Sequence, residues 1–232
     1  MNTGSGLLAV WMQVAPFLED DLNAWYEKEH IQERLDIPGF LSVRRYVTEQ
    51  AERRYIALYD LANPEVLRSG AYVEARNNPT RWTSRIVEAL TENVRNEYEL
   101  VQSIGDAPSS PAPYALVVRI ETEAGDDAEL NEWYERDHLG ALQGVDGCLR
   151  ARRFRATAGA PKYLAVYDLA SAEVPSGEAW RKAADSEWTL KMRPKLDVNA
   201  IRFGTSKLTL FSKLKTSSRS SVRTFSKSLI SF

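Results

Sequence analysis

An internal repeat constrains this chain more than any other feature. The segment from Leu22 to His30 recurs from Leu130 to His138, at an offset of 108 residues. The same offset continues without a gap until residues 54–61 match residues 162–169. One offset kept over this length indicates a duplication, and a period near 108 residues suits a small domain better than a solenoid repeat. We therefore expect two fused copies of one domain.

The repeat divides the chain into four regions. We place the first repeat at residues 1–104, a proline- and serine-rich linker at 105–113, and the second repeat at 114–205. Residues 206–232 form a basic, serine-rich tail without a counterpart in the first repeat. The serines favour disorder, whereas the helical spacing of the apolar residues beside basic ones would suit a weak contact with a membrane surface.

Composition excludes several classes of protein. The chain is 44% hydrophobic and 27% charged, as in soluble globular proteins. Its net charge is -2 although the tail carries six basic residues and no acid, so the acidic remainder argues against a nucleic-acid partner. We find no apolar run long enough for a membrane span or secretory signal. The single cysteine leaves neither an intramolecular disulfide nor a zinc cluster, so we expect a cytoplasmic protein without a metal.

Each repeat predicts the order strand, helix, strand, strand, helix, strand. The predicted segments are 7–14, 19–35, 40–48, 53–61, about 80–94 and about 96–103, then 114–122, 127–142, 148–156, 161–169, 179–194 and 199–204. This order is the ferredoxin-like βαββαβ unit of the α+β class, which leaves one sheet face uncovered. Two fused units can pack their antiparallel sheets into an α/β barrel. The protein would then be a monomer with an internal pseudo-dimer, or a homo-oligomer.

The chain has only two histidines, and each follows an acidic residue at the same position of the repeat. His30 follows Glu29, and His138 follows Asp137. On a helical wheel of about 100° per residue, Glu29 lies in the middle of an apolar arc and His30 just past its edge. A carboxylate on an apolar face is costly unless it is paired or opens onto a polar cavity.

Two explanations of these pairs stay open at the level of sequence. In the structural one, the acids accept hydrogen bonds from a strand or from the arginine pairs at 44–45 and 152–153, and the histidines are buried polar groups. In the functional one, Glu29 and Asp137 orient His30 and His138, whose imidazoles transfer protons near neutral pH. All four are therefore candidate catalytic residues.

Aromatic residues and one arginine make up the candidate substrate-binding set. These residues are Trp25, Tyr26, Arg34, Tyr59, Trp133, Tyr134 and Tyr167. The tryptophans either pack in the core or line a pocket for an aromatic ligand. Tyr59 and Tyr167 share a sheet face with Tyr55 and Tyr163, where the four rings either fill the barrel or offer hydroxyls to a substrate.

The two copies also differ. Glu33 and Arg34 of the first become Ala141 and Leu142 in the second, so the first copy is the better candidate for activity. Asp60 and Asp168 lie at strand ends, where turn or capping roles are common.

These motifs resemble the dimeric α/β-barrel superfamily, and within it EthD-like proteins, here in tandem. The resemblance covers residues 6 to about 205 and depends on Asn-x-Trp-Tyr-x-x-[Glu/Asp]-His, Pro-Gly-Phe-Leu, Arg-Arg-Tyr and Tyr-x-Ala-x-Tyr-Asp-Leu. It implies a fold that hosts cofactor-free monooxygenases, polyketide cyclases, decarboxylases, isomerases and haem enzymes. In its cofactor-free members a helix-borne histidine transfers protons, which points to His30 and, less directly, to His138.

We therefore expect a small cofactor-independent enzyme, of the lyase, cyclase, isomerase or monooxygenase type. It would belong to secondary or aromatic-compound metabolism and would bind a small hydrophobic or aromatic molecule. One alternative is a non-catalytic, ligand-binding or stress-related α/β barrel with structural histidines. Another is a haem-binding barrel in which one histidine is the iron ligand.

Overall fold

The computed structural model describes residues 4–48, 54–122, 126–205 and 211–212. The strands are β1 (Gly6–Val14), β2 (Phe40–Thr48), β3 (Arg54–Leu61), β4 (Leu90–Ile104), β5 (Tyr114–Thr122), β6 (Cys148–Ala158), β7 (Tyr163–Leu169), β8 (Leu196–Thr205) and β9 (Phe211–Ser212). The helices are α1 (Glu19–Trp25), α2 (Ile31–Asp36), α3 (Gly70–Asn77), α4 (Arg81–Ala89), α5 (Asp127–Trp133), α6 (Leu139–Gln143), α7 (Glu178–Ala184) and α8 (Glu187–Met192). The two halves thus have the same order of elements up to β8.

The second helix of each predicted unit is in fact a pair of short helices. We predicted one helix at 80–94, whereas α3 comes first, α4 ends at Ala89 and β4 begins at Leu90. Hydroxyl caps start the two helices, because Ser69 accepts a hydrogen bond from the Tyr72 amide and Thr80 accepts one from the Thr83 amide. Antiparallel pairing of β4 with β1 then overrides the helical spacing of the residues after Ala89.

Eight antiparallel strands close into a barrel. Their order around it is β3-β1-β4-β6-β7-β5-β8-β2, and β2 pairs again with β3. The last strand of each half pairs with the first hairpin strand of the other half, as β4–β6 and β8–β2. Both seams between the halves are therefore continuous sheet, with β9 adding a short pairing to β2.

Three buried clusters follow from this closure. One fills the barrel with side chains from all eight strands, and the other two lie between the outer sheet face and the helices of each half. The barrel cluster is Leu7, Ala9, Trp11, Tyr46, Ile56, Leu58, Tyr98, Ala115, Val117, Phe154, Leu164, Val166 and Phe203. The expectation that Tyr55, Tyr59, Tyr163 and Tyr167 fill the barrel is wrong. These rings face the helices, because the alternate residues of β3 and β7 point inward.

Asp60 and Asp168 lie on the barrel face and form ion pairs rather than turns or caps. Arg44 donates to both carboxylates, at 2.7 Å to Asp168 and 3.1 Å to Asp60. Arg152 lies 2.8 Å from Asp60, and Arg150 lies 2.8 Å from Asp168. Burial alone would raise the pKa of both acids, but Arg44 and Arg152 outweigh it and hold each pKa below its ordinary value. The cluster ties the two halves together inside the barrel.

The basic tail falls mostly outside the described residues. Within it only Phe211–Ser212 is described, and these residues form β9. Among the described helices, none has the length and apolar character needed to cross a bilayer. The predicted linker, residues 105–113, runs between β4 and β5 without helix or strand.

Candidate functional site

A π-helical turn interrupts the first helix of each half at the histidine motif. Residues Tyr26–His30 form one turn and Tyr134–His138 the other. The amide of Ile31 donates to the carbonyl of Tyr26, and that of Leu139 to Tyr134, each spanning five residues. Because a π turn is wider than an α turn, residues within it leave the positions that a regular wheel assigns. Sequence analysis missed this turn.

His30 is held by aromatic groups and one hydroxyl. Its ring stacks on Trp25 with a centroid distance of 4.1 Å, and Nε2 lies 3.1 Å from the hydroxyl of Tyr59. That hydroxyl lies 3.3 Å from the Tyr26 hydroxyl, which donates to Met12 Sδ at 3.2 Å. Burial, followed by the charges of Arg34 and Arg45, holds the pKa of His30 well below 6.5. The imidazole is therefore neutral at neutral pH.

The structure places Glu29 and Asp137 away from an orienting role. Glu29 accepts hydrogen bonds from Thr80 at 2.5 Å and Thr83 at 3.1 Å, and Asp137 accepts one from Ser186. In the described part of the chain, neither carboxylate has a hydrogen bond to its neighbouring histidine. Each acid therefore binds residues at the start of a later helix, α4 or α8, and the wheel misplaced it because of the π turn.

The arginine pairs do not bind these acids either. Arg44 faces the barrel, and Arg45 lies between the rings of Tyr26 and Tyr55, at 4.4 and 4.1 Å from their centroids. The second half repeats this arrangement, since Arg153 lies 4.5 Å from the Tyr134 ring and 4.4 Å from that of Tyr163. These cation–π contacts brace the helix against the sheet in both halves.

The carboxylate beside the His30 ring is that of Glu33, three residues later in the chain. Its Oε2 lies 3.8 Å from His30 Nδ1 and 3.2 Å from Arg34 Nη2. Arg34 is only 7% exposed. His30, Glu33 and Arg34 thus occupy the same helix surface, one turn apart.

These groups open onto a cleft of about 470 Å³ in the first half. Its walls come from α1, the π turn, α2, α3, α4 and strands β1, β3 and β4. The lining side chains are Leu8, Val10, Met12, Trp25, Tyr26, His30, Arg34, Tyr59, Tyr72, Ala75, Arg76, Pro79, Thr83, Ser84, Val87, Glu88, Leu90, Asn93 and Arg95. Four predicted residues of the first copy (Trp25, Tyr26, Arg34 and Tyr59) therefore meet His30 at one cleft. The contributions of α3 and of the start of β4 were missed, because the sequence pattern predicted no helix at 70–77 and a helix rather than a strand up to about residue 94.

The second half has the same order of strands and helices and the same histidine–tryptophan stack, which we call the shared frame. It differs in the side chains at the positions that line the cleft in the first half. His138 stacks on Trp133 at 4.2 Å, and its Nδ1 lies 3.5 Å from Thr189. Within the described residues, no hydrogen bond joins His138 to Tyr167. Burial lowers the pKa of His138 to about 4.

Larger or apolar side chains replace the polar lining in this half. Trp180 takes the position of Tyr72 and contacts Tyr167 at 5.3 Å between ring centroids. Arg34 and Arg76 correspond to Leu142 and Ala184, and Ser84 corresponds to Leu190. The candidate residues His138, Trp133, Tyr134 and Tyr167 accordingly lie in an apolar cluster.

The residues of the first half do not fit a haem ligand at His30. Its Nε2 already contacts Tyr59, Nδ1 is buried beside Glu33, and one ring face is covered by Trp25. An iron ligand needs a free imidazole nitrogen that points into open space. The described residues also contain no group of three histidine, cysteine or acidic side chains placed to hold a metal ion.

Comparison with known proteins identifies the fold. No family model matches the chain, and no curated protein sequence matches it. A proposed monooxygenase of Fusobacterium nucleatum aligns with a TM-score of 0.65 at 10% identity, over 91% of this chain and 96% of that one. An anthrone oxidase-like protein aligns with a TM-score of 0.60 at 13% identity, over 91% and 94%. A chlorite dismutase of Candidatus Nitrospira defluvii aligns with a TM-score of 0.55 at 13% identity, over 87% and 91%. The chain therefore shares the closed antiparallel α/β barrel of these proteins.

Proposed function

We propose that this chain is a small cofactor-independent enzyme that acts on a hydrophobic, aromatic molecule in the cleft of the first half. His30 is the proton acceptor and Tyr59 its hydrogen-bonded partner. The observation that carries the proposal is the 3.1 Å contact between His30 Nε2 and the Tyr59 hydroxyl on the cleft wall. The second half has both residue types without this contact. We further propose that the halves are fused copies of one ferredoxin-like domain of EthD-like kinship, in a cytoplasmic protein.

The protonation states suit removal of a proton from a substrate. The neutral imidazole can accept a proton at Nε2, which faces the Tyr59 hydroxyl. Because burial raises the pKa of Tyr59 well above 10, that hydroxyl stays protonated, and it can give its proton to Nε2 while it takes one from the substrate. After the transfer the imidazolium lies beside Glu33, whose Oε2 is 3.8 Å from Nδ1 and can pair with the new charge. Lyase, cyclase, isomerase and monooxygenase reactions can all begin with this step.

The cleft walls define what can enter. Side chains of Leu8, Val10, Met12, Trp25 and Val87 form an apolar surface beside His30. A volume of about 470 Å³ lies in the range of small-molecule sites. A flat molecule of two or three rings would place an acidic C–H or O–H group against the Tyr59 hydroxyl, which lies between the cleft and the imidazole.

Turnover of a panel of anthrones and naphthols, followed by absorbance, tests the proposal. We expect His30→Gln to lower kcat by about 10²- to 10⁴-fold, the usual contribution of a general base. His138→Gln is the matched control. It should keep kcat within about threefold of the original protein, because His138 lies in the second half, away from the cleft where the reaction takes place. A normally folded His30→Gln protein with full turnover would contradict the proposal and favour the non-catalytic barrel.

A further inference from the structure

The guanidinium of Arg34 lies in the cleft wall, at a position where the second half has an apolar residue. Arg34 is only 7% exposed, and the corresponding residue of the second half is Leu142, which is 3% exposed. Both halves pack this helix against the sheet. An apolar side chain is therefore accommodated at this position, and packing alone does not account for the guanidinium.

The hydrogen bonds of Arg34 leave part of its donor capacity unused. Nη2 donates to Glu33 Oε2 at 3.2 Å, and the guanidinium lies 5.6 Å from the ring centroid of Tyr72. The buried Nε has no hydrogen-bond partner in the described structure. A guanidinium has five N–H donors, and burying a charged donor without an acceptor is costly. A ligand in the cleft can supply an acceptor to Nη1, which is accessible and makes no hydrogen bond to the described residues.

The surroundings of Arg34 favour an anionic acceptor. Two further arginines, Arg76 and Arg95, line the same cleft. Among its described lining residues Glu88 alone is acidic, so positive charges outnumber negative ones. Arg95 is partly neutralised by Glu97 at 2.6 Å, and Arg76 lies on the exposed rim. Arginine is the side chain best suited to bind carboxylate or other oxyanions through paired donors.

We propose that the cleft recognises a flat hydrophobic molecule with one ionised oxygen, a carboxylate or phenolate, and that Arg34 binds this oxygen. The inference rests on the proposed function for the place of the substrate. Arg34 follows His30 by four residues and therefore lies one helical turn away on the same face. The anchored oxygen would hold the apolar rings against Trp25 and Met12, beside the imidazole.

Equilibrium binding, measured by isothermal calorimetry, tests the role of Arg34. The probes are 1-naphthoate and its neutral isostere naphthalene-1-carboxamide. We expect Arg34→Leu, which installs the residue of the second half, to weaken naphthoate binding by about 10- to 100-fold. The carboxamide should change by less than about threefold, because it offers no charge to the guanidinium. Arg136→Leu, at an exposed site outside the cleft, is the matched charge control.

A second pair of probes identifies the oxygen. This pair is 4-nitrophenolate, measured at pH 8.5, and its neutral counterpart 4-nitroanisole. If the affinity falls more from anion to neutral probe in this pair than in the naphthoate pair, phenolate is the better ligand. Arg34→Lys keeps the charge without the planar fork and should retain part of the affinity for the preferred anion.

Two results would overturn the inference. One is a normally folded Arg34→Leu protein whose affinity for both anions equals that of the original protein. The other is an original protein that binds the neutral probes as tightly as the anions. Calorimetry measures binding without turnover, so a loss of naphthoate affinity in Arg34→Leu would stand even if His30→Gln kept full turnover and contradicted the proposed function.

Discussion

The two halves of this protein share a frame and differ in what lines it. In both, a π turn stacks a histidine on a tryptophan, at 4.1 Å in the first half and 4.2 Å in the second. In both, an arginine lies between two tyrosine rings. Features common to both halves thus hold the helix on the sheet, and features of the first half alone are the candidates for chemistry.

This comparison separates a structural role from a chemical role for the two histidines. Because His138 keeps the tryptophan stack without the tyrosine hydroxyl, stacking is the structural role of the residue in each half. The contact with Tyr59 and the neighbours Glu33 and Arg34 belong to the first half. Chemistry therefore depends on these additions rather than on the histidine by itself.

The largest difference between the halves should be in the stability lost when Asp168 or Asp60 is replaced. Asp168 has a side chain 1% exposed beside three arginines, whereas the Asp60 side chain is 15% exposed. We expect Asp168→Asn to cost about 3–5 kcal/mol, since it leaves buried arginines unpaired. Asp60→Asn should cost less because water reaches that carboxylate. Urea unfolding measures both, with exposed Asp146→Asn as control, and equal costs would show that the two halves contribute alike.

The pH dependence of stability compares the two histidines. A histidine whose folded pKa is lowered binds a proton more readily when unfolded, so its stabilising contribution is complete above about pH 6.5 and declines as the pH falls. For His138, with a pKa of about 4 when folded, the loss between pH 6.5 and 4 should reach roughly 2–3 kcal/mol. His138→Gln should flatten this part of the stability curve.

For His30 the same decline below about pH 6.5 is expected, because burial also lowers its pKa well below 6.5. Unfolding free energies measured from pH 4 to 7 test both variants. A stability curve unchanged by either substitution would contradict the burial of the imidazoles. Below about pH 4, protonation of Asp60 and Asp168 should remove further stability in every variant, since their folded pKa values are lowered.

The smallest expected loss of stability is at Thr80 and Ser186, the helix caps that bind Glu29 and Asp137. Thr80 and Ser186 each accept a backbone hydrogen bond at the start of a helix and donate to Glu29 or Asp137. Alanine at either position should cost about 1 kcal/mol by thermal melting. The two costs should agree, because these caps belong to the shared frame. Loss of turnover in Thr80→Ala without loss of stability would assign Glu29 to the active site after all.

Much of the fold was accessible from the sequence because the repeat showed it twice. Alternating apolar residues and short polar connections located the hairpins, β2–β3 and β6–β7, within a few residues. The short helix α3 was missed, since its apolar content is low and its cap at Ser69 is a weak local signal. The end of α4 was misplaced because pairing with β1 decides it, and that partner is distant in sequence.

The site was predicted in part, and its errors have one origin. The sequence pointed to His30, Trp25, Tyr26, Tyr59 and Arg34, which do meet at the cleft. It assigned Glu29 to His30 because the wheel assumed a regular α-helix, and a π turn has no strong sequence signature. It placed Asp60 and Asp168 in turns because their arginine partners lie on other strands, some of them in the other half of the chain.

The crossed ion pairs have a consequence for assembly. Besides the pairs within each half, Arg44 reaches Asp168 and Arg152 reaches Asp60, so part of the buried charge of each half is paired with the other half. In a barrel built from two separate chains, such pairing would depend on protein concentration. Here both partners are on one chain, so their effective concentration is fixed by the connection between β4 and β5, and dilution cannot open the barrel at its seams.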